Sequence, residues 1–139
     1  MLGVARKAYA ISKAQGYNEE FARHMFLLGW MHDVGYEFAE SKEQHSHISA
    51  QMYLLLTKNE PDIAYRAIKE RGRLPELPTE EWKILTMADM LTDSNGNEVS
   101  AEARLSGIRQ RYGMQSEEYK TSCEVCKQIG LVDKNYGQE

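Results

Sequence analysis

Cysteine is scarce in this chain of 139 residues: there are two, Cys123 and Cys126. No second CxxC and no neighbouring histidine pair accompanies them, which argues against a four-ligand zinc site. A redox CxxC usually follows a strand, and no strand pattern precedes this one. The pair reads as two packed or half-exposed thiols in a reducing compartment. Long apolar runs are also missing. Nothing here has the length and greasiness of a membrane span, and no signal-peptide pattern opens the chain. A cytoplasmic location without membrane contact is the expectation. Nor is positive charge in excess: the net charge is −4. That disfavours a general nucleic-acid coat, yet leaves room for a phosphate site built from a few local cations. Strand-like alternation, internal repeats and low-complexity segments are absent as well. What is left is an all-α protein, with length for one domain and a real core. The expected organisation is a helical domain over 1–132 and a polar tail over 133–139.

What the chain does contain is organised around 21–36, FARHMFLLGWMHDVGY. Phe21, Met25, Leu28 and His32 fall on one helical face. Ala22, Phe26, Gly29 and Asp33 fall on the adjacent one. A helix with two neighbouring apolar faces is largely buried, so His32 and Asp33 continue stripes where an unpaired charge is costly. A divalent ion explains that placement, because imidazole and carboxylate are both good ligands. A hydrogen-bonded buried histidine beside a helix-terminal carboxylate explains it too.

The other elements follow from caps and stops. Residues 3–15 form a helix with Val4, Ala8 and Ile11 on one side and Gly16 as its stop. Asn18 caps the central helix, about 19–33, with Glu19 and Glu20 in its first turn. A third helix over about 45–57 puts His45 on the same face as Ile48, Met52 and Leu55, and turns His47 toward the surface. Pro61 suits the first turn of a fourth, which ends in the basic set Arg66, Lys69, Arg71 and Arg73. Those cations suit a helix C-terminus for electrostatic reasons alone, with anion binding as the alternative. LPELP is a rigid loop. Thr79 caps a fifth helix over about 80–92, in which Trp82, Leu85 and Asp89 share a stripe, so Asp89 is a second aspartate on a core face. DSNGN is a turn. Ser100 caps a sixth helix that stops at Gly113. Ser116 caps a seventh, with Tyr119, Cys123, Cys126 and Ile129 inward and Gly130 at its end.

The order His32-Asp33, then HSHISAQ from His45, then TMADMLTD around Asp89 resembles the HD-domain superfamily of metal-dependent phosphohydrolases. The opening LGVARKAYAISKAQGYNEEFA is similar to the first helices of that family, and the likeness runs over residues 2–112. The resemblance implies a compact bundle of six to seven helices. It also implies a metal held by a first histidine, the HD pair and a later aspartate. His32, Asp33 and Asp89 match three of these ligands. The first histidine commonly precedes a stretch like LGVAR by two positions, which here falls just before Met1. His24 does not replace it, being about 12 Å from His32 along the helix. His45 matches the first of two extra histidines, in a pattern resembling HxxIGA. Where members with a second metal often carry another histidine, this chain has Arg71, which is not a metal ligand.

One ion is therefore implied: Mn, Fe, Mg, Co, Ni or Zn. Asp33 and His45 are the implied catalytic groups, the former orienting metal and nucleophile, the latter the leaving group or a water. Arg71, with Lys69 or Arg73, would neutralise phosphate charge. The implied function is hydrolysis of a nucleotide or related phosphoester. Two alternatives stay open: a non-catalytic module of the same fold that binds a nucleotide or protein partner, and an all-α interaction or nucleic-acid protein. A homo-oligomer is compatible with all three.

Overall fold

Five helices, with no strand among the described residues, make the chain all-α. The computed structural model describes residues 2–32, 66, 67, 69, 73–76 and 78–137. The helices are α1 (Leu2–Ala14), α2 (Glu19–Met31), α3 (Glu80–Met90), α4 (Ala101–Tyr112) and α5 (Glu117–Gln128). The helix expected over 45–57 lies outside the described residues. Of the one expected after Pro61, Arg66, Ala67 and Lys69 are described, and all three are helical.

The helices begin where side chains satisfy their first amides. Asn18, Thr79, Ser100 and Ser116 accept from the backbone N–H of Phe21, Trp82, Ala103 and Tyr119, respectively. Each such cap contributes about 1 kcal/mol. α1 and α4 end at the expected stops, with Gly16 and Gly113 at φ of 87° and 97°, a region closed to most side chains.

α1 and α2 form a helical hairpin. Tyr9 donates to Glu19 at one end, and Gly29 lies against Ala5 at the other. A Cβ on Gly29 would stand 2.9 Å from Ala5 Cα, so the two backbones meet only because that residue is glycine. α3 packs across both helices, and α4 packs against α5. The main core joins Val4, Ala8 and Ile11 of α1 to Met25 and Leu28 of α2 and to Trp82, Ile84, Leu85 and Ala88 of α3. A second, smaller cluster holds Met90, Leu105, Tyr119, Cys123 and Cys126. Within the tail expected from 133, Tyr136 folds back against this second cluster.

The segment after α3 is a tight hairpin-like turn. Thr92 and Glu98 form an antiparallel bridge, and Asp93 Oδ1 accepts from the N–H groups of Asn95 and Asn97, both at 2.9 Å. Its tip, Gly96, sits directly on Gly3 of α1, and Lys7 of α1 pairs with Glu98. The turn that follows Asp89 is thereby fixed to the helix that opens the domain. No helix among the described residues is long and apolar enough to cross a membrane.

Candidate metal centre

His32 is the C-cap of α2 and is only 1% exposed. The stripe begun by Met25 and Leu28 carries it inward, as its spacing requires. Its Nδ1 lies 2.5 Å from the carbonyl oxygen of Gly29. A carbonyl only accepts, so Nδ1 carries the hydrogen and donates. In the neutral ring the lone pair is then on Nε2.

Nε2 faces Asp89 Oδ1 of α3 at 3.6 Å. The carboxylate is half-buried, its side chain 28% exposed, so it reaches the interior while keeping an edge on the surface. Two acceptors facing each other inside a protein repel, unless positive charge lies with them. A proton on Nε2 supplies it, and so does a cation bound by both. The donor set fits a divalent ion: one imidazole nitrogen with its tautomer fixed by the opposite hydrogen bond, and one carboxylate oxygen. The spacing fits too, since two ligand bonds of about 2.0–2.2 Å each can meet across this gap. Both groups have further interactions in the molecule, as a buried charged site requires.

Of the remaining candidate residues, Asp33, His45 and Arg71 lie outside the described residues. Among the described residues no three His, Cys, Asp or Glu side chains cluster as a metal site, so the pair His32–Asp89 is the part of the predicted centre on view. Lys69 and Arg73 are exposed, and neither lines the cleft beside Asp89. His24 is half-buried on α2. Cys123 and Cys126 are both free and buried. Burial pushes the Cys126 thiol up to about 12, which leaves it protonated and a poor ligand or nucleophile at neutral pH.

The sequence reading missed the residues that surround Asp89 on its open side. A cleft of about 370 Å³ runs along the end of α3 and is lined by Asp89, Asp93, Arg104 and Arg111, among others. Arg104 donates through Nη1 to the carbonyl oxygens of Asp89 and Thr92, which closes the C-terminal end of α3 with a cation. A signal was present in the sequence. Arg104 and Arg111 are seven residues apart on α4, which is nearly two full turns and so the same face. No family model, no curated protein and no solved structure matches the chain.

Proposed function

We propose that the protein is a metal-dependent phosphohydrolase of the HD type, acting on a nucleotide or related phosphoester in a compact helical bundle of six to seven helices. The observation that carries this reading is the approach of His32 Nε2 to Asp89 Oδ1 at 3.6 Å. Two residues far apart in sequence, on different helices, converge at the wall of the core. His32, Asp33 and Asp89 would hold one divalent ion, with Mn, Fe, Mg, Co, Ni and Zn all compatible with a nitrogen and two carboxylates. When bound, such an ion would polarise a phosphoryl oxygen and acidify a bound water.

The chain's own residues do the rest. The Gly29 carbonyl fixes which ring nitrogen of His32 faces Asp89, so the site is preorganised before any ligand arrives. Asp89 presents one oxygen inward and remains open to the cleft, where a phosphoester has access. In this reading Asp33 orients the attacking water and His45 assists the leaving group.

The test is metal loading followed by turnover on a broad nucleotide and phosphoester panel. Wild-type protein should retain about one ion per chain and release phosphate or a nucleoside phosphate. Asp89→Ala should lose both the ion and turnover. Metal-loaded protein that is silent on the whole panel, yet is thermally stabilised by nucleotides recovered intact, would instead support the non-catalytic binding module.

A further inference from the structure

We propose that Arg104 and Arg111 of α4 form the anion-binding wall of the site, receiving a phosphate group of the ligand in the cleft that also contains Asp89. The proposal rests on the hydrolase reading for its substrate class and places the phosphate contact on α4 in place of Lys69 and Arg73; Arg71, the other expected contact, lies outside the described residues. Three observations carry it. First, Arg104 and Arg111 both line the same cleft as Asp89, whereas Lys69 and Arg73 do not. Second, no carboxylate pairs with either arginine among the described residues. Of the two aspartates lining the cleft, Asp89 faces His32 and Asp93 has Oδ1 committed to the N–H groups of Asn95 and Asn97. Third, Arg104 is held rigidly. Its two hydrogen bonds, to the carbonyls of Asp89 and Thr92, both use Nη1, so Nε and Nη2 keep donors in a fixed fork.

A guanidinium already immobilised by backbone carbonyls loses little further entropy on binding, and its planar fork suits phosphate oxygens. Arg111 is exposed and adds a second cation on the open side. A phosphate lying against this wall has the Asp89 edge of the metal centre beside it. The ligand class is therefore a phosphoester whose phosphate is recognised by α4, with the remainder of the molecule extending from the open mouth of the cleft.

The test uses the full chain and inorganic phosphate as the probe, with chloride at matched ionic strength as the control. Arginine Nε–Hε resonances are followed by NMR during titration. The Arg104 and Arg111 signals should shift saturably with phosphate and not with chloride, and Arg111→Ala should weaken phosphate binding by about tenfold, the loss of one charge-assisted contact. Arg111→Lys should recover part of that loss. Arg111 is exposed, so the fold should survive, and circular dichroism checks this. Shifts at Arg71 or Arg73 instead, or at no arginine, would overturn the proposal. The outcome is separable from the hydrolase reading. Phosphate shifts at Arg104 and Arg111 without turnover would retain the wall and remove the enzyme, and turnover with those two signals still would do the reverse.

Discussion

The α1–α2–α3 unit and the α4–α5 pair each bury a group capable of chemistry, and they treat it in opposite ways. His32 is 1% exposed and faces a carboxylate across 3.6 Å. Cys126 is fully buried, and desolvation drives its thiol up to about 12. The ring nitrogens of the first face a carbonyl and a carboxylate; the second sits where burial penalises a charge. Burial alone therefore marks neither as functional. The partner decides: a carboxylate from another helix in one case, an apolar cluster in the other.

The packing of the two regions differs in the same sense. α1, α2 and α3 approach through small residues, with Ala5, Ala8, Ala22 and Ala88 at 0% exposure. This close approach lets the C-terminal ends of α2 and α3 bring His32 and Asp89 together. α4 and α5 meet through Leu105, Tyr119 and the two cysteines, and α4 contains a glycine, Gly107, whose missing Cβ would meet nothing within 4 Å.

Under the proposed hydrolase function, the largest expected effect that separates the regions is on turnover. Asp89→Ala should reduce it by at least about a hundredfold, whereas Cys126→Ala should leave it unchanged in the folded fraction. Equal losses in a phosphatase assay would erase the distinction. Next, Leu85→Ala and Leu105→Ala, each in a fully buried position, should both cost about 2–5 kcal/mol in urea denaturation. Only Leu85→Ala, which lies in the core cluster beneath the site, should also weaken metal binding by folded protein.

The glycines sharpen the contrast further. Gly29→Ala should destabilise by about 1–3 kcal/mol, because its Cβ would press on the backbone of Ala5 and overcome the gain in helix propensity. Gly107→Ala should instead stabilise by about 0.5–1 kcal/mol, since nothing opposes the same gain. A last contrast concerns the thiol. With the folded value raised above the ordinary 9.0 to about 12, the neutral form is favoured by folding. That contribution is complete below pH 9 and is lost as pH rises from there toward 12. At pH 8 a thiol reagent should label Cys126 at least about a hundredfold more slowly in the native protein than in urea.

Much of this was legible in the sequence. The four caps follow from short polar residues placed before apolar periodicity, and Asn18, Thr79, Ser100 and Ser116 all accept the amides expected of them. The inward stripe of α2 correctly carries His32 into the core, and the stripe of α3 brings Asp89 to the wall of the core. The central helix runs from Glu19 to Met31 with His32 as its C-cap, and its expected last residue, Asp33, lies outside the described residues. Helix periodicity shows which face a residue occupies, but not which other element lies opposite. Hence the cleft between the end of α3 and α4 was not visible. The basic run at 66–73 is a cluster local in sequence, while Arg104 and Arg111 share a cleft with Asp89 only through tertiary packing. Tyr136 was missed for a related reason: a lone aromatic in a polar tail has no periodicity to reveal its partner.

The most direct test of the central claim follows the four histidines by long-range ¹H–¹⁵N NMR during a substoichiometric Mn²⁺ titration. The account predicts that His32 broadens at the lowest Mn²⁺, with Nδ1 protonated and Nε2 as the metal-facing nitrogen, and that Asp89→Ala removes the effect. Broadening centred on His24 or His47 with His32 unchanged would contradict it, as would a His32 response that persists undiminished without the Asp89 carboxylate.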